Sequence, residues 1–502
     1  MGWQEDYKRK LTTHDEAVRV VKSGDLVVFP LVPPWSLAQA LAKRREELRD
    51  VTVRVTSPIG DPGWYDEQWA QAFTDFEFEL FIGDPNRHVT DSGRGTYLPN
   101  VFSVEFKAID ERPGEVRKPD VVFVNVSPPN KNGYVNFGVH MWNKRAYARR
   151  ARTVVAEVVP QPVIAHGDCW MHVSEIDLFV EGTGAMFAGA AGAGGQAGGP
   201  LAAYLEAVPE DRRPGLRQVL LAAERSRLQQ MLPEIGPRLA DYTPETLAQA
   251  LQVNLGPPEH VKAIAGYVSE VVPDGATLQI GIGEPARWLA SIGTFDGKHD
   301  LGIHTELGCP GLAKLFATGV VTNRRKTIHN GVAIAVAWTG CDNEDMAIID
   351  DNPHFQVYDP EYVLNLRTIM ANENMVAINN AISVDLLGQI NSESVFGGRM
   401  INGTGGQPEM HIGAFSAKGG RAITLLPSTA LGGTVSKIVP QLDAGAIVTI
   451  PRYYADTVIT EYGIARLAGK SHRQRASELI AIAHPDFRAE LRREAERLWA
   501  RL

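Results

Sequence analysis

The stretch SGDLVVF at residues 23–29 decides the fold, because it returns in altered form as DGATLQI at residues 274–280, an offset of 251 residues. Two weaker pairs repeat at similar offsets: DVTV at 50–53 with DLGI at 300–303, and GYVN at 133–136 with GQIN at 388–391. Gly and Asp before a strand are common turn chemistry, so each match alone carries little weight. Together, in the same order, they predict a duplicated domain.

Short Val- and Ile-rich runs alternate with longer segments of helical periodicity. Continuous apolar runs indicate strands buried on both faces, and intervening helices indicate crossovers between parallel strands. The predicted strands are 26–29, 51–55, 121–126, 154–159, 277–280, 375–378 and 422–425. The fold class is therefore α/β, and we predict two related, open, mostly parallel α/β domains.

The two repeats are separated by residues 182–200, which are almost entirely Gly and Ala, and this composition favours a linker over a tightly packed segment. Residues 201–256 then show the periodicity of amphipathic helices. We predict a first domain at 1–200, a helical connector at 201–256 and a second domain at 257–502, closed by a helical region.

Composition excludes several classes of function. Among 502 residues, 50 are basic and 59 acidic, and the net charge of −9 argues against a coat for nucleic acid or an anionic membrane. Three cysteines form no disulfide framework, and no apolar stretch is long enough to span a membrane. No metal-binding motif emerges. We expect a cytoplasmic protein without a metal, a nucleic-acid partner or a membrane partner.

A carboxylate stands at the end of residues 301–306, which the duplication pairs with the predicted strand at 51–55. Open α/β sheets bind their ligands at such strand ends. The carboxylate is Glu306, in LGIHTELG, and the duplication pairs it with Thr56 in the first half. A carboxylate found in only one of two related halves is a candidate for function. The alternative, a surface glutamate, weighs about the same on the sequence alone.

Two glycine-rich turns offer exposed backbone amides. The turn Gly281-Ile282-Gly283 follows a predicted strand and is suited to binding an anion, with a dinucleotide site as a minor alternative. The second, NGTGGQ at 402–407, permits the geometry of an oxyanion hole, although a tight hairpin remains open. A thiol nucleophile at Cys309, with His304 nearby in sequence, is a weaker alternative.

These segments together resemble the acetyl-CoA hydrolase/transferase family, the class I CoA-transferases that include 4-hydroxybutyrate and succinate CoA-transferases. The stretches that carry the resemblance are VSPPNKNGYVNFG (126–138), HGDCWMHVSEID (166–177), LQIGIGEP (278–285), LGIHTELGCPG (301–311), MVAINNAISVDLLGQINSES (375–394), INGTGGQPEM (401–410) and TVITEYGIARLAGK (457–470). They span both predicted domains in the family's order.

The resemblance implies roles for individual residues. Glu306 matches the family's nucleophile, Gly406 the amide that stabilises the oxyanion, and Ile282 a second amide. Glu461 matches a further active-site glutamate, and Asn365 an active-site asparagine, although Arg367 replaces the proline expected after it. The implied contacts to CoA are Gly281, Gly283, Gly403, Gly405 and Gln407. Because CoA is a polyanion, we also expect a local basic patch, for which Lys418, Arg421 and Lys437 are candidates and Lys418 is the one selected; a solvated surface position is the alternative for each.

The implied activity is transfer of CoA between an acyl-CoA and a free carboxylic acid, by a ping-pong mechanism through an acyl-glutamyl anhydride and a glutamyl-CoA thioester. Coenzyme A would take part as acyl-CoA substrate, without a metal or a redox cofactor. An acyl-CoA hydrolase using the same site, or a non-catalytic relative that binds CoA esters, remains an alternative. We also expect a homo-oligomer, a dimer or a tetramer.

Overall fold

A computed structural model of the chain describes residues 2–56, 61–80, 84–159, 163–182, 204–205, 208–210, 212–223, 228, 231, 235–242, 247–248, 251, 257–395 and 397–499. Most of the predicted linker and connector, residues 183–256, lies outside these ranges. The division at residues 200 and 256 therefore stays a prediction.

The strands of the first half lie before residue 182. They are β1 (Leu11–Thr12), β2 (Leu26–Phe29), β3 (Val51–Val55), β4 (Phe73–Phe78), β5 (Gly95–Tyr97), β6 (Val121–Val126), β7 (Tyr134–Asn136), β8 (Thr153–Val158), β9 (His166–Gly167), β10 (Trp170–His172) and β11 (Leu178–Glu181). Eight of them form a parallel sheet in the order β1-β11-β8-β6-β2-β3-β4-β5. The central strands β2 and β6 are buried along their whole length, as their continuous Val-rich runs predict.

The second half supplies the remaining strands. They are β12 (Thr277–Ile280), β13 (Gly302–Leu307), β14 (Ala333–Ala337), β15 (Phe355–Val357), β16 (Met375–Asn380), β17 (Ser383–Asp385), β18 (Ile390–Asn391), β19 (Ser394–Val395), β20 (Arg399–Met400), β21 (Arg421–Leu425), β22 (Thr429–Ala430), β23 (Val435–Ser436), β24 (Ile438–Val439), β25 (Thr457–Thr460) and β26 (Gly463–Arg466). The main sheet has nine strands in the order β26-β25-β21-β16-β12-β13-β14-β15-β9, and β26 alone runs antiparallel to its neighbour.

The strand orders confirm the predicted duplication. The run β11-β8-β6-β2-β3-β4-β5 of the first sheet corresponds, strand for strand, to β25-β21-β16-β12-β13-β14-β15 of the second. The turns agree as well, since Gly24 and Gly275 adopt φ of +82° and +72°, and Asp50 and Asp300 both adopt +56°. These left-handed positions explain why Gly and Asp recur before the strands, because both residue types tolerate that conformation.

The two halves are joined by the strand β9, which belongs to the first half of the sequence but pairs with β15 at the edge of the second sheet. Close by, the Trp338 N–H donates to the Val139 carbonyl at 2.9 Å. One large buried core cluster accordingly includes side chains of both sheets. The two halves are therefore connected by backbone pairing and by one shared core cluster.

Helices cover the sheets and close the C-terminal end of the chain. The described helices are α1 (Trp3–Lys10), α2 (His14–Ala17), α3 (Trp35–Ala42), α4 (Asp84–Asp91), α5 (Lys107–Glu111), α6 (Lys144–Ala148), α7 (Arg213–Ala222), α8 (Glu259–Val271), α9 (Leu312–Ala317), α10 (Asn343–Ile349), α11 (Pro360–Val363), α12 (Leu366–Met370), α13 (Gln407–Ser416), α14 (His472–Ile482) and α15 (Pro485–Trp499). Ser471 begins α14 with a capping box, accepting from the Gln474 N–H while Gln474 accepts from Ser471. No helix in the described part of the chain is long and apolar enough to cross a membrane.

Candidate active site

A cavity of about 470 Å³ opens at the carboxyl ends of the three adjacent strands β16, β12 and β13. Its lining comes from the ends of these strands, the turn at 401–405, Gln407, Ser392 and Lys437, and Leu80 of the first half. Parallel sheets of this kind bind ligands at this edge. The cavity is of the size that small-molecule sites usually have.

Glu306 lies near the end of β13 and lines this cavity with only 8% of its surface exposed. Burial raises the pKa of its carboxyl group to about 7, because the charged form loses solvation. The Gly406 N–H lowers this pKa by hydrogen bonding to the carboxylate, and the nearby Glu409 raises it. The surface-glutamate interpretation is therefore wrong.

The second glycine-rich turn packs directly against this carboxylate. A Cβ added to Gly406 would lie 2.7 Å from Glu306 Oε2, and one added to Gly405 would lie 3.3 Å from Oε1. Gly406 is also the N-cap of α13, so the positive end of that helix faces the carboxylate. The turn leads into a helix rather than forming the alternative hairpin, and a side chain at Gly406 would displace Glu306.

The first glycine-rich turn also lines this cavity, and Ile282 in it is 41% exposed. A Cβ on Gly281 would lie 3.1 Å from Asn379 Oδ1, and one on Gly283 would lie 3.0 Å from Asn380 Nδ2. The chain continues from this turn into a 3₁₀ turn at Ala286–Trp288, so the long helix of a dinucleotide site is missing.

Three amide side chains complete the site, and sequence reasoning did not select them. Gln279 and Asn379 exchange two hydrogen bonds, at 3.0 and 2.9 Å, across the neighbouring ends of β12 and β16. Asn380 Oδ1 accepts the Ala286 N–H at 3.0 Å and thereby holds the first glycine turn. The sequence feature that could have identified them is the pair Asn379-Asn380, which follows the predicted strand at 375–378 within a stretch that carries the family resemblance.

Glu461 lies beside the cavity, where it interacts with Ser428 and Lys437. It accepts from the Ser428 N–H at 2.9 Å and from Ser428 Oγ at 2.5 Å. Its charge also acts on Lys437, which lines the cavity and whose pKa burial lowers to about 8 despite that charge. The like charge that raises the pKa of Glu306, after the effect of burial, is that of Glu409 and not that of Glu461.

Two predicted site residues lie elsewhere. Asn365 is the N-cap of α12, where its side chain accepts the Arg367 N–H at 3.0 Å. Lys418 has an 81% exposed side chain, paired with Glu373 at 3.1 Å. Neither lines the cavity. Gly403 and Gln407 do line it, and Gln407 Nε2 donates to the Asn380 carbonyl at 3.3 Å.

The thiol alternative finds no support. Cys309 is fully buried, and burial together with Asp345 raises the pKa of its thiol to about 12, so it carries no thiolate at neutral pH. The Nε2–H of His304 donates to the Val363 carbonyl at 2.8 Å, and burial lowers the pKa of His304 to about 3. Within the described residues, no group of three or more His, Cys, Asp or Glu side chains could hold a metal ion.

Comparison with known proteins agrees with this geometry. Residues 1–188 match the acetyl-CoA hydrolase/transferase N-terminal domain, and residues 342–495 match the C-terminal domain of the same family. The chain is 35% identical to a 4-hydroxybutyrate coenzyme A transferase of Clostridium kluyveri, over 98% of this chain and 99% of that protein. It is 32% identical to a succinyl-CoA:cyclohexane-1-carboxylate CoA transferase of Geobacter metallireducens, over 99% and 97%. The crystal structure of RipA from Yersinia pestis superposes with a TM-score of 0.76 at 28% identity, covering 99% of each chain.

Proposed function

The chain belongs to the acetyl-CoA hydrolase/transferase family and is a CoA-transferase, and we propose that it exchanges CoA between carboxylic acids through covalent intermediates on Glu306. One observation carries the proposal. A buried carboxylate lines a substrate-sized cavity and is backed by the N–H of Gly406 at the start of a helix.

The reaction begins when a Glu306 oxygen attacks the thioester carbonyl of the acyl-CoA. The C–S bond breaks, CoA leaves as a thiolate, and an acyl-glutamyl anhydride remains. The thiolate then attacks the glutamyl carbonyl of that anhydride, which releases the first acid as a carboxylate and leaves a glutamyl-CoA thioester. A second carboxylate enters and the steps run in reverse, so one difficult exchange becomes several easier ones.

The environment of Glu306 suits a nucleophile. Its raised pKa, about 7, leaves much of the carboxylate ionised at neutral pH while making it more basic than an exposed carboxylate. Burial also removes the hydration shell that would otherwise stabilise the resting charge. The helix end at Gly406 keeps the charged form accessible.

Negative charge develops on two oxygens during the exchange, one on the acyl carbonyl and one on the glutamyl carbonyl. Gly406 lies against the Glu306 carboxylate, which supports its N–H as the proposed donor to the glutamyl oxygen. The exposed turn at Gly281–Gly283 offers backbone donors for the acyl oxygen, with Ile282 as the proposed donor. Removing one such donor costs on the order of 10²–10³ in rate.

Substrate binding falls to the rest of the cavity. Coenzyme A enters as part of the acyl-CoA substrate, and the glycine turns at 281–283 and 403–405 allow a close approach of its thioester end. Lys437 supplies a positive charge in the lining. Glu461 orients the neighbouring Ser428 and acts on Lys437, which gives it a supporting part in the same chemistry. A cytoplasmic location and a homo-oligomer remain part of the proposal.

Initial rates distinguish this proposal from its alternatives. With acyl-CoA and carboxylic acid varied together, a ping-pong transferase gives parallel double-reciprocal lines and consumes little acyl-CoA without the acid. A hydrolase consumes acyl-CoA at the same rate without any acid. A protein that binds acyl-CoA and turns over none would contradict both enzymatic readings.

A further inference from the structure

Glu409 is a buried carboxylate of the second half of the chain that accepts hydrogen bonds from the first half. It is the third residue of α13 and only 4% exposed. Its Oε2 accepts the Phe102 N–H at 3.0 Å, and its Oε1 accepts the Ser103 N–H at 3.0 Å. Both donors belong to the first half, and both carboxylate oxygens are used.

The turn that precedes α13 is held by the first half at two further places. The Thr404 N–H donates to the Tyr97 hydroxyl at 3.1 Å. Gly403 lies against the Leu80 carbonyl and the Tyr97 ring, so closely that a Cβ would not fit. The segment that brings Gly406 to Glu306 is therefore fixed by groups of the first half.

Phe102 and Ser103, which donate to Glu409, lie in a well-packed and hydrogen-bonded part of the first half. The Phe102 ring packs edge-on against Trp142, with ring centroids 5.0 Å apart. A few residues on, Glu105 accepts from Asn143 Nδ2 at 2.6 Å and from the Tyr147 hydroxyl at 2.8 Å. The two amides that bind Glu409 thus sit on a rigid part of the first half.

We propose that Glu409 is a positioning residue: by binding the amides of Phe102 and Ser103 it fixes the start of α13, and with it the Gly406 N–H, against Glu306. The inference rests on the proposed function of Glu306. It gives the first half a defined part in the reaction, although the nucleophile and the two glycine turns all come from the second half.

The charge of Glu409 gives the inference a readout that a purely structural contact lacks. Glu409 raises the pKa of Glu306, in addition to the effect of burial. Burial raises the pKa of Glu409 itself to about 7, while hydrogen bonds from Ser103 and Phe102 oppose that rise. Tyr97 is a further titratable group near Glu306: burial raises the pKa of its hydroxyl, and the charge of Glu306 adds to that rise. We therefore expect loss of the Glu409 charge to lower the pKa of Glu306 in the pH range where Glu409 is ionised.

The test compares Glu409→Gln and Glu409→Asp with the wild type in pH profiles of kcat and kcat/KM. In Glu409→Gln the charge is lost and an amide NH₂ faces one of the two backbone donors. We expect kcat to fall on the order of tenfold to hundredfold, and the acidic limb of kcat/KM to move to lower pH. In Glu409→Asp the charge stays but the shorter side chain cannot reach both amides. We expect kcat to fall while the acidic limb stays near that of the wild type.

Asp385→Asn is the matched control. Asp385 is a fully buried carboxylate that accepts the N–H groups of Leu387 at 3.0 Å and Gln389 at 2.9 Å, and it does not line the cavity. We expect a lower melting temperature and an unchanged acidic limb. An acidic limb of Glu409→Gln that coincides with the wild type overturns the inference, and so does a control that moves it equally.

Should Glu409→Gln fail to fold, Glu409→Asp decides the matter, because a folded Asp variant with wild-type kcat also overturns the inference. Failure of the proposed function is distinguished by the wild type alone. If the wild type forms a CoA adduct on Glu306 and the Glu409 variants show no kinetic change, only the positioning role is lost. If the wild type forms no adduct, the function proposed for Glu306 fails first.

Discussion

The two halves of the chain place different side chains at the same point of the duplicated sheet. Thr56 follows β3 in the first half, and Glu306 stands near the end of β13, the matching strand, in the second. Both are buried, at 0% and 8% exposed. The difference between them is what surrounds each one.

In the first half, the strand end lies within a network of side chains. Thr56 Oγ1 donates to Glu79 Oε2 at 2.8 Å, and the Tyr147 hydroxyl lies within hydrogen-bond distance of both Glu79 and Glu105. Arg54 lies beside these carboxylates, with its Nε 3.9 Å from Glu79 Oε1. Carboxylates bound in this way by hydroxyl and guanidinium groups stabilise the fold.

In the second half, the same point of the sheet meets backbone and open space. Glu306 lies against Gly405 and Gly406 and lines the cavity. Its partner is an N–H at the start of a helix, and its raised pKa reflects a charge that its surroundings solvate poorly. The comparison teaches that a reactive carboxylate differs from a structural one by its partners, not by its burial.

Glu306→Gln should have the largest effect, since an amide cannot form the anhydride. We expect CoA transfer to fall on the order of 10⁴-fold or more, measured as acyl-CoA formed from a free acid. Glu79→Gln, the matched change in the first half, should lower the melting temperature while leaving the rate per folded molecule within about twofold. Equal losses of transfer in both variants would remove the distinction between the two carboxylates.

Glu306→Gln should also have a larger free energy of unfolding than the wild type above neutral pH. The pKa of Glu306 is higher in the folded protein than the ordinary 4.5, so the folded state binds the proton more tightly. The free energy of unfolding of the wild type therefore falls as pH rises from about 4.5 to about 7. At pH 8 we expect Glu306→Gln to exceed the wild type by roughly 1–3 kcal/mol, measured by urea unfolding, with no such gain at pH 4.

Gly406→Ala should cause the next largest loss of CoA transfer. The new Cβ would lie 2.7 Å from Glu306 Oε2 and 2.9 Å from Leu364 Cδ2, and the backbone at this residue has a negative φ that alanine adopts freely. The carboxylate must move, and we expect transfer to fall on the order of 10²-fold. The control is Gly266→Ala in α8, where an added Cβ meets nothing within 4 Å. A Gly406→Ala enzyme with normal kcat would show that this amide does not position Glu306.

Lys437→Ala should have a smaller effect, confined to binding. Lys437 lines the cavity, and we expect KM for one of the two substrates to rise roughly tenfold with a modest change in kcat. Lys418→Ala is the matched change at the exposed surface, where the ion pair with Glu373 contributes little. Steady-state kinetics in both variants, with each substrate varied, would locate the positive charge that matters. A larger effect at Lys418 than at Lys437 would show that the exposed lysine, and not the one in the cavity, supplies that charge.

Thr56→Val should have the smallest effect on transfer. It leaves Glu79 Oε2 without its hydroxyl donor in a buried site, which costs about 1–3 kcal/mol of stability. Thr56→Ser keeps the hydroxyl and should recover most of that loss in a thermal melt. We expect both variants to transfer CoA at close to the wild-type rate per folded molecule. A strong loss of transfer in Thr56→Val alone would show that the first-half network reaches the active site.

The sequence predicts the fold well because its information is local and repeated. Val-rich runs mark the buried parallel strands, and the offset pairs Asp50 with Asp300 and Gly24 with Gly275 at turns that need left-handed backbone. It also predicts Glu306 and the first glycine turn, because each ends or follows a strand of the main sheet, and it predicts the second glycine turn because its glycines are closely spaced.

The site residues that the sequence did not identify depend on contacts between segments far apart in the chain. Nothing local separates Lys418, which is exposed, from Lys437, which lines the cavity. The asparagine near position 365 matches a family spacing but serves as a helix cap, whereas Asn379 and Asn380 reach the cavity from the end of β16. The contact from Glu409 to Phe102 and Ser103 spans about 300 residues and has no signature in either segment.

The most direct test is mass spectrometry of the peptide that contains Glu306, after incubation of the protein with a panel of acyl-CoAs and no acceptor acid. We expect a CoA thioester on Glu306 in the wild type, its disappearance when a carboxylic acid is added, and no adduct in Glu306→Gln. Acyl-CoA that is consumed while the Glu306 peptide stays unmodified, or an adduct on another residue, would contradict this expectation.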